Sequence, residues 1–328
     1  RSPANFDIIH IEHMRGSRYG EFLLRKNPQL PIIWDSVDCI SYLFQQSAQY
    51  NKKLLSRWIT RFELSRSRAY ESRLIRLFSR VLVTSQVDRA ALLSLISGQD
   101  KPAIDVLPNG VDLDYFRPVP HDQRDSETIV VSGKMSYHAN IAMVVYMVEE
   151  IMPLVWAEKP QARLIIAGKD PPKRIRAMAA DPRICVTGYI PDIRPYLQKA
   201  AIAAAPLTYG AGIQNKILEA MACATPVVTT SQGASALDAS AGHDFLTAQT
   251  ARDFASSLIQ LMDHPDKARE IGRAGRRYVE TRHDWLQKAA DLLAIYCEEI
   301  DRRRNTAQPI DSESDREIRQ SYNKLSTR

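Results

Sequence analysis

Apolar residues recur along the chain in short runs, separated by stretches with helical spacing. Runs at 7–11, 31–34, 81–84 and 104–107 read as strands, with helical material at 20–26, 41–78 and 88–96. A second, more regular series follows. Its strands fall at 129–132, 163–167, 184–187, 201–205 and 226–229, and its helices near 141–155, 173–180, 193–199 and 214–222. Short apolar strands alternating with helices predict parallel sheets with helices on their faces. The spacing predicts further helix from 250 to 300, notably at 273–279 and 285–300. Residues 301–328 lack an apolar period and are expected to be disordered.

Between the two series, Pro108-Asn109-Gly110-Val111-Asp112 reads as a turn, because Asn-Gly tolerates positive φ. The polar stretch 117–127, with Pro118 and Pro120, reads as a linker. The expected division is therefore a first α/β domain at 1–118, a second at 119–300 and a charged tail at 301–328. The first domain reads as truncated, since no Gly-rich strand and loop precede Phe6 and Gly is only 13 of 328 residues.

Composition narrows the classes. With 45% hydrophobic and 25% charged residues, a disordered chain is excluded. No apolar run approaches the roughly 20 residues of a membrane span; the longest, such as 200–207, suit buried strands. Cys39, Cys185, Cys223 and Cys297 form no CxxC pair, so neither a disulfide framework nor a zinc site is expected. All four read as reduced, buried thiols of a cytoplasmic protein.

The net charge is +6, and residues 1–118 hold 17 basic against 12 acidic side chains. The excess peaks between 51 and 80. Both a basic amphipathic helix on an anionic membrane and a solvated helical face fit that stretch. At 100° per residue the charges do not keep to one face, which favours the solvated face. Peripheral contact with the cytoplasmic face of the inner membrane remains an expectation. Nucleic acid is not an expected partner, because no recognition motif is present.

Candidate chemistry gathers at the strand ends of the second series, where open α/β sheets bind ligands. Gly210 and Gly212 let backbone approach a ligand closely. A helix starting near Ile213 would aim free N–H groups and a positive dipole end there. Lys216 adds a charge in its first turn, and Lys134 converges from the first strand of the series. This reads as a diphosphate site needing no metal. Glu219 reads either as an acceptor for a ribose diol or as a solvated helix edge. No GxGxxG, Walker A or nucleophile-elbow stretch occurs.

The run Gly210-Ala211-Gly212-Ile213-Gln214-Asn215-Lys216-Ile217-Leu218-Glu219-Ala220-Met221-Ala222, followed by Thr225-Pro226-Val227-Val228, resembles the donor-site signature of family-4 glycosyltransferases. The turn at 108–112 with Phe116, Gly133 with Lys134, and Val186-Thr187-Gly188 with Asp192 resemble further family positions. Gly133-Lys134-Met135-Ser136-Tyr137 with Asn140 is similar to sugar transferases of bacterial exopolysaccharide gene clusters. The resemblance implies the GT-B fold, two facing Rossmann-like domains. It also implies a nucleotide-diphosphate sugar donor of UDP or GDP type, no further cofactor, and a glycan or lipid-linked acceptor.

It further implies site roles. Lys134 and Lys216 would sit at the diphosphate and Glu219 at the ribose, as the catalytic set. Gly133, Asn140, Tyr189, Ile190, Gly210, Gly212, Ile213, Gln214 and Asn215 would bind the donor. Asp35, Asp38 and His10 would lie on the acceptor side. Ala211 stands where the family commonly has Glu, so the sugar would be held by Gln214, Asn215 or backbone. A carboxylate nucleophile at 211 is excluded, which implies retention by front-face attack. Ala224 stands where Gly commonly ends the helix, and a left-handed conformation there would cost about 1 kcal/mol. A non-catalytic sugar-nucleotide-binding or scaffold protein of a polysaccharide machine is the alternative.

Overall fold

The computed structural model describes residues 6–50, 54–96, 103–120, 123–210 and 212–307. The first series folds as β1 (Ile9–Glu12), α1 (His13–Lys26), β2 (Ile32–Val37), α2 (Ile40–Tyr50), α3 (Leu54–Leu77), β3 (Arg80–Val83), α4 (Gln86–Leu93) and β4 (Ile104–Val106). The second begins with β5 (Asp125–Ser132). A continuous helix follows, α5 (His138–Tyr146) widening to a π turn (Met147–Ile151) and resuming as α6 (Met152–Glu158). Next come β6 (Arg163–Ala167), α7 (Lys173–Ala177), β7 (Ile184–Gly188), α8 (Arg194–Lys199), β8 (Ala200–Ala205), α9 (Asn215–Ala222), β9 (Val227–Thr229), α10 (Ser231–Ala234) and β10 (Leu246–Thr247). Three helices close the described chain: α11 (Ala251–Asp263), α12 (Pro265–Arg282) and α13 (Trp285–Ala307).

The strands form two wholly parallel sheets, ordered β1-β2-β3-β4 and β10-β9-β8-β5-β6-β7. The fold is thus α/β with two Rossmann-like halves, as the alternation predicts. The near-continuous apolar strands explain the parallel pairing, since both faces are covered by helices. Each half has its own core. Ile33, Trp34, Leu74 and Val83 are fully buried in the smaller half, and Val131, Met143, Leu164 and Ile202 in the larger.

Several expectations need correction. β5 starts at Asp125, inside the stretch that reads as a linker. Arg124 explains why: its guanidinium donates to Leu197 O, Ala200 O, Cys223 O and Thr225 Oγ1 at 2.7–3.2 Å. α13 continues past 300 to Ala307, where Arg302 pairs one turn back with Glu299. The expected disorder beyond it lies outside the described residues. Cys39 and Cys223 are buried, but Cys185 and Cys297 are exposed. One helix, 138–158, is after all long and apolar enough to cross a membrane. Here its apolar face, including Met143, Val144 and Met152, fills the larger core. Pro153 within it has no N–H to donate and crowds the carbonyl four residues back, and the π turn just ahead absorbs this.

The halves are joined twice. Val111 N donates to His283 O (2.7 Å) and Trp285 N to Val111 O (3.3 Å), so the turn at 108–112 lies against the turn before α13. α13 then returns to the four-stranded half. Arg80 donates to Glu298 (2.9 Å), and Arg302 to Ser79 O (3.2 Å).

Candidate functional site

In the six-stranded sheet β5 pairs with both β6 and β8, so the strand order reverses between β5 and β8. That reversal opens a crevice beyond the strand ends. Both glycine-bearing loops of the sequence signature emerge there. The loop after β5 carries Gly133 and Lys134; the loop after β8 carries Tyr209, Gly210 and Gly212. The two loops touch: Tyr209 hydroxyl lies 2.9 Å from His138 Nδ1, and their rings stack at 5.5 Å.

The first loop is braced from below. Gly133 has φ +147, and a Cβ there would meet Asn140 Nδ2 at 2.8 Å. Buried Asn140 donates to Lys134 O (2.9 Å), while its Oδ1 finds no partner among the described residues. Asn140 therefore shapes the loop, leaving the exposed Lys134 side chain at the crevice.

The second loop leads into α9 through Gly212, whose φ is +66. Gln214 is the N-cap of α9 but makes no side-chain capping bond. Ile217 N turns back to Gln214 O (2.8 Å), so among the described residues the amides of Asn215 and Lys216 are the ones left for an anion. Lys216 Nζ donates to Gln214 Oε1 at 3.0 Å. Burial pulls the Lys216 ammonium down to about 8, against the opposing pull of Glu219. Burial likewise pushes the Glu219 carboxyl up to about 7, opposed by Lys216. The pair sits one helical turn apart on α9 in a poorly hydrated place, ready to meet a polar ligand. Ile213 is buried and anchors the loop. Asn215 turns away, accepting from Asn109 Nδ2 (2.8 Å) in the interdomain turn.

At the third loop, Tyr189 is exposed and Ile190 packs partly against the larger core. Its neighbour Thr187 donates to Gly188 O (3.0 Å) and accepts from Gly168 N (3.2 Å), joining the loops after β6 and β7.

From the four-stranded half, Asp38 reaches the site. A Cβ on Gly212 would lie 1.8 Å from Asp38 Oδ1, so only glycine fits beneath that carboxylate. Burial raises Asp38 to about 6, helped by Asp88 and Asp35 and opposed by His13 and the Thr84 hydroxyl. His10 and Asp35 stay apart from this contact. His10 Nε2 lies 3.6 Å from Asp35 and its Nδ1 2.9 Å from Tyr296 hydroxyl on α13. The sequence also leaves three participants unmarked. Gln46 on α2 and Gln232 on α10 both bond to Gly210, and His138 supports Tyr209. Only the aromatic flanks of the two glycine loops, at 137–138 and 209, offered a signal.

Two Rossmann-like sheets whose β2 and β8 ends meet over an open helix N-terminus form the GT-B architecture of glycosyltransferases. Residues 126–264 match the family model described as Glycosyl transferases group 1. Among curated proteins, the chain is 27% identical over 248 residues to the D-inositol 3-phosphate glycosyltransferase of Stackebrandtia nassauensis, covering 69% of this chain and 55% of that one. It is 29% identical over 204 residues to the GDP-mannose-dependent monoacylated alpha-(1-6)-phosphatidylinositol monomannoside mannosyltransferase of Corynebacterium glutamicum, covering 56% and 53%. The chain thus spans about half the length of the curated relatives it matches. Among solved structures, the sucrose-phosphate synthase of Thermosynechococcus elongatus superposes with TM-score 0.71 at 20% identity, over 89% of this chain and 73% of that one. Anabaena HepE, in complex with UDP and glucose, superposes with TM-score 0.68 at 15% identity, over 89% and 78%.

Proposed function

We propose that this chain is a retaining, metal-independent glycosyltransferase of bacterial polysaccharide biosynthesis, moving a sugar from a nucleotide-diphosphate donor to a glycan or lipid-linked acceptor. The observation that carries this reading is the uncapped N-terminus of α9 at the sheet's switch point, flanked by Gly210 and Gly212 with Lys216 in its first turn. It is an anion site built from backbone, and Lys134 faces it from the neighbouring strand end. Both relatives named above are glycosyltransferases, one of them GDP-mannose dependent, and the HepE structure holds UDP. Donors of either base are therefore in scope. The exposed Tyr189 loop is the place for the base, and Glu219 for the ribose.

Charge develops on the leaving diphosphate as the glycosidic bond breaks. Lys134, Lys216 and the α9 amides stabilise it, while the sugar carbon becomes oxocarbenium-like. The acceptor hydroxyl attacks from the same face and gives its proton to the leaving phosphate, so no protein carboxylate nucleophile is needed. The work is placed in the cytoplasm, at the inner membrane if the acceptor is lipid-linked.

The test is incubation of the complete gene product with labelled UDP- and GDP-sugars and a membrane lipid extract, with and without EDTA. Labelled product with released nucleotide, unaffected by EDTA, is expected. Binding without turnover would turn the reading to a scaffold protein. Lys134→Ala and Lys216→Ala should each lower turnover by about 2–4 kcal/mol. Full activity in either variant, or in Glu219→Ala, would sink the site assignment.

A further inference from the structure

We propose that Gln46 is a positioning residue for the donor loop, fixing Gly210 from the opposite half of the molecule through its side-chain oxygen. The proposal rests on reading the loop after β8 as the donor loop. Gln46 is buried, with 7% exposure, near the end of α2. Its Oε1 accepts from Gly210 N (3.2 Å) and from Gln232 Nε2 (3.3 Å). The same Gln232 Nε2 donates to Gly210 O (2.9 Å). Both backbone groups of Gly210 are therefore occupied by glutamine side chains, one from each half. Residues 208–210 and 212–214 belong to no helix or strand, so side chains must set this backbone. A buried N–H left without an acceptor is strongly disfavoured.

A second contact from the same half falls on the same loop. Asp38, just before α2, occupies the space a Cβ on Gly212 would need. The two described glycines of the loop are thus held from across the crevice, Gly210 by hydrogen bond and Gly212 by shape. α2 also borders a second space. Tyr42 and Gln45, on its preceding turn, line a cavity of about 520 Å³ shared with Arg68 and Val87. One helix accordingly has a face on that cavity and a hydrogen bond to the donor loop.

Among the described residues the Gln46 side chain only accepts, so substitutions separate its role from simple packing. Glu keeps an acceptor oxygen at the same reach; Leu keeps the bulk and loses it. In the full chain without ligand, hydrogen exchange of the segment 207–214 is expected to quicken about tenfold in Gln46→Leu and to stay near wild type in Gln46→Glu. Titration calorimetry with UDP, GDP, UDP-glucose and GDP-mannose should show the probe that binds wild type weakened about tenfold by Gln46→Leu, with Gln46→Glu within about threefold. Gln232→Leu should match Gln46→Leu, and the double variant should add little to either single. Unchanged exchange in Gln46→Leu, or Gln46→Glu behaving like Gln46→Leu, overturns the proposal. If wild type binds none of the four probes, the donor-loop reading falls instead, while the exchange result still decides whether Gln46 sets the loop.

Discussion

Single residues here are governed by what burial does to charge. Lys216 is held down to about 8, so near pH 8 only part of the population carries the proton. A bound diphosphate favours the charged form. UDP or GDP binding at pH 8 is therefore expected to take up about half a proton per site. Calorimetry in two buffers of different ionisation enthalpy measures this, and Lys216→Met should abolish it. Asp38 is the mirror case, raised from 3.8 to about 6 by burial. Between those values the native state holds a proton that the unfolded chain releases, so this group favours folding more as pH falls and penalises it above about 6. Asp38→Asn is expected to stabilise the protein by about 1–2 kcal/mol at pH 8. The gain should vanish below pH 4, as urea midpoints at the two pH values will show. In the sequence Asp38 is marked only as one of three acceptor-side candidates, beside Asp35 and His10. What sets it apart from Asp35 is a contact with Gly212, 174 positions away, which no local pattern encodes.

At the scale of elements, the chain was largely readable, because each strand is a short apolar run and each long helix keeps its period. Departures came where long-range partners override local character. Arg124 looks like a linker residue, yet four nearby hydrogen-bond acceptors of the second half make it an anchor for the start of β5. β10 has only two residues, Leu246 and Thr247, and leaves no periodic signal. The end of α9 was foreseen: Ala224 has φ +53, a left-handed conformation that crowds its Cβ. Ala224→Gly relieves that crowding but loosens the unfolded chain, so a net gain of up to about 1 kcal/mol is expected in thermal or urea unfolding. His283 illustrates an element boundary held by a neutral ring. Burial lowers its pKa. Its Nδ1 donates to Asn109 O (2.7 Å) and its Nε2 accepts from Tyr278 hydroxyl (2.9 Å), which locks the turn between α12 and α13 to the interdomain turn.

At the scale of the whole molecule, two things were beyond any sequence pattern. One is the strand order, which decides that the loops after β5 and β8 share a crevice. The other is the return of α13 to the half it left. Gly110 tests that return. A Cβ there would meet Trp285 Cα at 2.8 Å, a backbone atom that cannot swing aside. Gly110→Ala is expected to cost about 1–3 kcal/mol by overpacking, read from the urea midpoint. The paired crossings at Val111 and Trp285 also say how the two halves can move. A body hung on one strand can twist and swing in any direction, whereas one hung on two adjacent strands behaves like a door on two pins. Any opening of the crevice would have to bend both crossings together and part Gln46 and Asp38 from the glycines of the facing loop.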